Sequence, residues 1–324
     1  MRHLREVEVR TGSRLHFGLL ASHPDLPRIH GGAGVMIASP GTVLRASLAA
    51  KDSVEGPESG RVRDFVEQYR AACPGTGPRS PVRVCIESCI PSHSGWGSGT
   101  QLGLAVARAL SELFEPGQYS SRALARMTGR GHRSGIGIEG FECGGFLIDA
   151  GQQCPGELSP CVARRNFPAD WSFLLACPRQ ARGLSGSEER KAFQTLEEIP
   201  IAMTDRLSRL LLLAILPAID SEDFESFSQH LHELGEQVGQ HFAQIQGHMI
   251  GHPLMRKLYG DLRSSGVTGV GQSSWGPGLW AVFESTEEAR QHQTRCESSG
   301  DFDEVQFSVT AALNTGAEVR ICDH

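Results

Sequence analysis

The stretch "IPSHSGWGSGTQLGLAVARAL" at residues 90–110 constrains this chain more than any other. Glycines 95, 97 and 99 alternate, and a helical pattern follows at once. Leu102, Ala105, Val106, Ala109, Leu110 and Leu113 fall on one apolar stripe. Glycine costs conformational entropy, so this backbone has a use for close approach to something. A helix front carries unpaired N–H groups and a partial positive charge, which suits an anion. The dipole alone contributes about 0.3–1 kcal/mol, so tight binding needs arginines too. No Gly-Lys-Ser/Thr follows, so this is not a Walker A loop. The third glycine of the dinucleotide fingerprint is also missing. Ser98 to Gln101 fit S-x-x-Q, which predicts a capping box at the helix start. The expected anion contacts are Ser94, Gly95, Gly97, Ser98, Gly99 and Thr100.

Three further clusters carry chemistry. In "GSRLHFGLL" (12–20) Arg14 and His16 alternate in an extended segment and share a face. "RIHGGAGVMI" (28–37) adds Arg28 and His30 beside glycine turns, which suggests a second anion-binding lobe. "GRGHRSGIGIEGFECGGFLIDAG" (129–151) sets Arg130, His132 and Arg133 before a glycine-rich run read here as extended. Its carboxylates Glu139, Glu142 and Asp149 are candidates for Mg²⁺ alongside substrate phosphates. "GVTGVGQSSWGPGLWAVF" (266–283) reads as a β-hairpin whose backbone can close over a ligand on the first loop. His248 and His252 have the i, i+4 spacing of a zinc helix but lack the Glu of H-E-x-x-H.

Strands are predicted at 6–10, 42–50, 81–88, 144–151, 171–177 and 304–311, with helices at 61–72, 222–246, 253–264 and 286–297. Polar, Gly and Pro residues gather around 152–170, and the boundary is placed between 165 and 166, giving domains 1–165 and 166–324. The net charge of −6 argues against a general nucleic-acid binder. Nine cysteines form no C-x-x-C pair and read as reduced thiols of a cytoplasmic protein. The N-terminus shows no apolar signal segment, and the longest apolar run, 210–216, is too short to span a bilayer. Only Lys51, Lys191 and Lys257 are lysines, so a phosphate site must use arginine, histidine or backbone N–H groups.

The P-x-x-x-G-x-G-S loop (Pro91 to Ser98) opening a helix, with the late T-G-x-G turn (Thr268 to Gly271), resembles the GHMP kinase superfamily. Within it, "SRLHFGLL", "RIHGGAGVMI" and above all "GRGHRSGIGIEGFECGGFLIDAG" resemble the β-ribofuranosylaminobenzene 5′-phosphate synthase branch. The resemblance implies an α+β, GHMP-kinase-like two-domain fold. Its N-terminal domain would be ribosomal-protein-S5-like βαβ, and its C-terminal domain ferredoxin-like α+β. It implies a homodimer with Mg²⁺ as cofactor and small-molecule substrates, and neither nucleic acid nor membrane as partner. The implied reaction belongs to tetrahydromethanopterin biosynthesis. There 4-aminobenzoate or 4-hydroxybenzoate condenses with phosphoribosyl pyrophosphate, releasing CO₂ and pyrophosphate. His16, His132 and Arg133 are the implied catalytic residues. Arg14, Arg28, Arg130, Gly269 and Gly271 join the glycine loop in binding, and Ser98 and Glu139 are the implied metal ligands. Trp96 and Gly99 interrupt the kinases' G-L-G-S-S loop, and the kinase lysine and aspartate have no counterpart. An ATP-dependent kinase and a non-catalytic binder are the competing expectations.

Overall fold

A computed structural model describes residues 5–73, 79–154, 156–180 and 195–323. Its backbone is organised by two long antiparallel strands, β1 (Arg5–Ala21) and β2 (His30–Leu48). Alternating apolar residues at 7, 9, 15 and 17 put one side chain in two into a core, which fixes their register. The register slips between Thr11 and Ser13 and again between His16 and Gly18. β2 is shared along its length. Its first half pairs with β5 (Phe146–Asp149), and its second half with β4 (Val82–Ser88). β3 (Ser53–Glu55) lies parallel to β4, and β6 (Cys161–Arg165) pairs with β5.

Helices α1 (Ser59–Ala72), α2 (Ser98–Phe114), α3 (Ser121–Met127) and α4 (Ile136–Cys143) accompany this sheet. The stripe on α2 meets Val7, Val9, Leu44, Val84 and the α1 residues Phe65 and Tyr69 in one core. Gly103 is needed there, because an added Cβ would lie 3.1 Å from the Phe65 ring. α4 corrects the extended reading of 136–143. The buried Asp149 carboxylate accepts the Gly135 N–H at 2.9 Å and anchors the helix front. Gly140 lets α4 press onto Met36, whose Sδ would be 2.5 Å from a Cβ there.

The chain leaves this sheet after Arg165 and enters a second one at Ser172. The second sheet is antiparallel in the order β10 (Val305–Ala311), β7 (Ser172–Pro178), β9 (Leu279–Phe283), β8 (Val270–Gln272). α5 (Ile201–Leu210) continues through a π-helical turn, Leu211–Ile215, into α6 (Leu216–Asp220). α7 (Phe224–Gln246), α8 (Pro253–Ser264) and α9 (Thr286–Ser298) complete the set. The last strand, β11 (Glu318–Asp323), returns to the first sheet and pairs with β1 from Arg5↔Asp323 to Arg10↔Glu318. The largest apolar cluster joins Leu15 and Phe17 of β1 to Phe173 of β7, Phe227 of α7 and Trp280 of β9, so one core spans both sheets. Burying each such side chain contributes about 1.5–3 kcal/mol. All nine cysteines are free thiols, and among the described residues no helix is long and apolar enough to cross a membrane.

Candidate active site

A cavity of about 480 Å³ opens where the glycine loop, β1, the 129–134 loop and the β8–β9 turn meet. Its lining contains Arg14, Arg61, Arg130 and Arg133 with His16, His93 and His132, and among the described residues it contains no carboxylate. Four arginines around a cavity whose described lining holds no carboxylate suit an anion.

The glycine loop stands open. Gly97 caps α2 in the left-handed region, φ 78°, and no side chain bonds the helix front. The predicted capping box is therefore not formed. The helix begins at Ser98 itself, so Ser98 is already helical, and Gln101 turns inward to accept from Thr11 at 2.6 Å and to donate to Gly137 O at 2.8 Å. Trp96, where the loop departs from the kinase pattern, anchors it. Its ring is buried in the shared core, and its carbonyl accepts the Arg14 N–H at 3.0 Å.

Two arginines converge on the uncapped helix front. A Cβ on Gly99 would lie 2.9 Å from Arg61 Nη2 and 3.2 Å from Arg130 Nη1. Arg61 Nη1 donates to Glu58 Oε2 at 3.0 Å and to Ser92 Oγ at 2.8 Å, which fixes the guanidinium from behind. Arg130 packs over the Phe65 ring at 4.7 Å, and its Nε is buried without a hydrogen-bond partner. Burial and the neighbouring Arg61 charge hold its pKa below the ordinary arginine value. An anion between them relieves that repulsion.

His16 is buried, and both its ring nitrogens are engaged. The Gly18 N–H donates to Nδ1 at 3.3 Å, so the ring proton sits on Nε2, 3.2 Å from Ser134 Oγ. Ser134 in turn donates to Asp149 Oδ2 at 2.8 Å. Burial, then the charges of Arg14 and Arg133, push the His16 pKa well below its usual value, so the ring stays neutral. His132, by contrast, is exposed at the cavity rim.

Of the residues singled out from the sequence, Arg14, His16, Gly95, Gly97, Ser98, Gly99, Thr100, Arg130, His132 and Arg133 line this one cavity, whereas Arg28, His30, Ser94, Glu139, Glu142, Asp149, Gly269 and Gly271 do not. Arg28 donates to Gly151 O at 3.0 Å, away from the cavity, so it and His30 form no second lobe of it. Ser94 is buried and serves the turn, donating to Pro91 O at 2.8 Å. Gly269 and Gly271 are packing glycines, since a Cβ would come within 2.4 Å of Val282 and 2.5 Å of Trp280. Glu139 is paired with Arg122 outside the cavity. The donor set does not fit a Mg²⁺ held by the protein. Ser98 and Thr100 offer hydroxyls only, and no trio of His, Cys, Asp or Glu among the described residues can hold a metal. A divalent cation here would take its oxygens from a bound diphosphate.

Arg61, His93, Phe242, Ser274 and Trp275 line the cavity without having been singled out. Arg61 reads as the solvent face of an amphipathic helix, and only the packing of α1 beside α2 reveals it. Ser273 to Gly278 had a signal, the glycine-rich hairpin, and its turn is clamped to the glycine loop. Ser273 Oγ donates to Gly95 O at 2.9 Å, and the Gly278 N–H to Ser94 O at 3.0 Å.

Family models for the GHMP kinases N terminal domain and the GHMP kinases C terminal match residues 61–146 and 215–300. The chain is 32% identical over 296 residues to the β-ribofuranosylphenol 5′-phosphate synthase of Methanothermobacter thermautotrophicus, covering 86% of this chain and 88% of that one. It is 29% identical to the synthase of the same name from Archaeoglobus fulgidus, covering 97% and 100%. Mevalonate-3-kinase from Thermoplasma acidophilum superposes with TM-score 0.65 at 15% identity, covering 98% and 99%. Homoserine kinase from Cytophaga hutchinsonii gives 0.63 at 12%, covering 97% of each. At those identities the structures speak for the two-part α+β fold alone.

Proposed function

This chain belongs to the β-ribofuranosylphenol 5′-phosphate synthase family of the GHMP kinase superfamily, and from that premise we propose that its arginine-lined cavity joins phosphoribosyl pyrophosphate to 4-hydroxybenzoate or 4-aminobenzoate. The enzyme is a transferase of methanopterin biosynthesis. One observation carries the proposed site: Arg61 and Arg130 converge on the uncapped front of α2 in a cavity without a lining carboxylate. That arrangement matches a diphosphate better than a single carboxylate.

The bond changes follow from the substrates. The C1–O bond of the ribose breaks, and its electron pair leaves with pyrophosphate. The ring carbon bearing the carboxylate bonds to C1. The C–CO₂ bond then breaks, and its pair returns to the ring, so no enzyme nucleophile is needed. Negative charge grows on the leaving diphosphate in the transition state. Arg61, Arg130 and the Ser98 and Gly99 amides are preorganised donors for that charge. Arg14 and Arg133 remain for the 5′-phosphate. The neutral His16, tied to Ser134, orders the 131–134 loop rather than moving a proton. With His16 held neutral, His132 and His93 are the lining histidines left for acid–base work.

The test is incubation of the folded protein with phosphoribosyl pyrophosphate and each acid labelled at its carboxyl carbon. Labelled CO₂ and pyrophosphate in equal amounts are expected. No CO₂ from either acid would overturn the reading.

A further inference from the structure

We infer that Phe242, Trp275 and Leu19 form the subsite that receives the aromatic ring of the acid, an assignment that rests on the synthase reading above. The cavity lining is of two chemical kinds. Arginines, histidines and glycine backbone make up one of them. Phe242 of α7, Trp275 of the β8–β9 turn and Leu19 of β1 supply the bulky apolar side chains of the lining. A reaction between a highly anionic phosphosugar and an aromatic acid needs both kinds of wall within one cavity. A cavity of about 480 Å³ lies in the range of sites that hold ligands of this size.

The apolar wall is built, not incidental. The Phe242 and Trp275 rings lie parallel, with centroids 4.5 Å apart and an interplanar angle of 18°. Each is largely buried, 4% and 6% exposed, so the pair offers the cavity a narrow, rigid and already dry strip. The turn behind it is tied on three sides. The Ser274 N–H donates to His16 O at 3.1 Å, Ser273 bridges His16 N–H and Gly95 O, and Gln246 donates to Trp275 O at 3.4 Å. Ser274 sits at φ 55°, a region that side chains rarely adopt, and so does His93, also in the lining, at φ 61°. Backbone strain retained at two positions of the lining marks a shape the fold holds against its own preference. His16 and Gly95 belong to the anion side, so the same bonds fix the distance from the apolar strip to the glycine loop. A ring seated on this strip is thereby set beside the sugar bound at α2.

Two measurements test this. In steady-state kinetics, Trp275→Leu is expected to raise KM for the aromatic acid at least about tenfold while KM for phosphoribosyl pyrophosphate changes less than about twofold, and Trp275→Phe restores most of the loss. An equal rise in both KM values, or none in that for the acid, overturns the assignment. Crystals of the unaltered enzyme soaked with 4-hydroxybenzoate, a test independent of whether the variants fold, should show the ring against Phe242 and Trp275. A ring seated elsewhere, or no bound ring, in an enzyme that turns the acid over removes the subsite and leaves the synthase reading intact. A wild-type enzyme that releases no CO₂ removes the synthase reading instead.

Discussion

At the scale of single residues, Gly99 separates binding from folding. It lies inside α2, where alanine is the better helix former by about 1 kcal/mol. Gly99→Ala is therefore expected to leave thermal stability equal or slightly higher. The new methyl enters the gap between Arg61 and Arg130, so the dissociation constant for phosphoribosyl pyrophosphate should rise at least about tenfold. Thermal unfolding and calorimetry read the two effects separately, and a stable variant with unchanged affinity would place the diphosphate elsewhere. Arg130→Ala removes one charged donor, worth about 1.5–3 kcal/mol, and should lower kcat/KM about 10- to 100-fold with the fold intact. Arg133→Ala should weaken substrate binding in the same way, and unchanged kinetics would make it a surface charge.

Among the elements, the hairpin of β1 and β2 carries a pH dependence of its own. Glu8 on β1 is held by Arg10, its largest influence, and by Arg45 on β2, which together bring its pKa down to about 2 against the opposing effect of burial. A carboxylate depressed in the folded state contributes stability above its unfolded pKa, near 4.5, and loses it as pH falls toward 2. Urea unfolding across that window should steepen for the native chain and flatten for Glu8→Gln. Elements like these were legible in the sequence because alternation and helical spacing write burial directly into residue order. α2 could be read from its stripe and the glycine loop from its glycines. α4 could not, because its glycines mimic an extended run and its anchor, Asp149, is supplied by the next strand. Arg61 and Phe242 were hidden for a related reason. Each belongs to the site only through contacts between segments far apart in the chain, and local spacing carries no record of those.

For the molecule as a whole, the return of residues 312–323 to the first sheet matters most. Besides β11, Leu313 donates to Met36 O at 2.8 Å, its carbonyl accepts the Gly145 N–H at 2.8 Å, and Arg164 donates to Asn314 O at 2.6 Å. Ending the chain after Ala311 strands these groups and bares the edge of β1. The shortened protein is expected to lose cooperative unfolding and to aggregate, as circular dichroism melts and light scattering would show. The same closure sets an order on synthesis. Arg5 leaves the ribosome long before Asp323, yet they are cross-strand partners. The sheet beside the glycine loop is made before the strand that closes it, and its edge stays open to the wrong neighbour until that strand arrives.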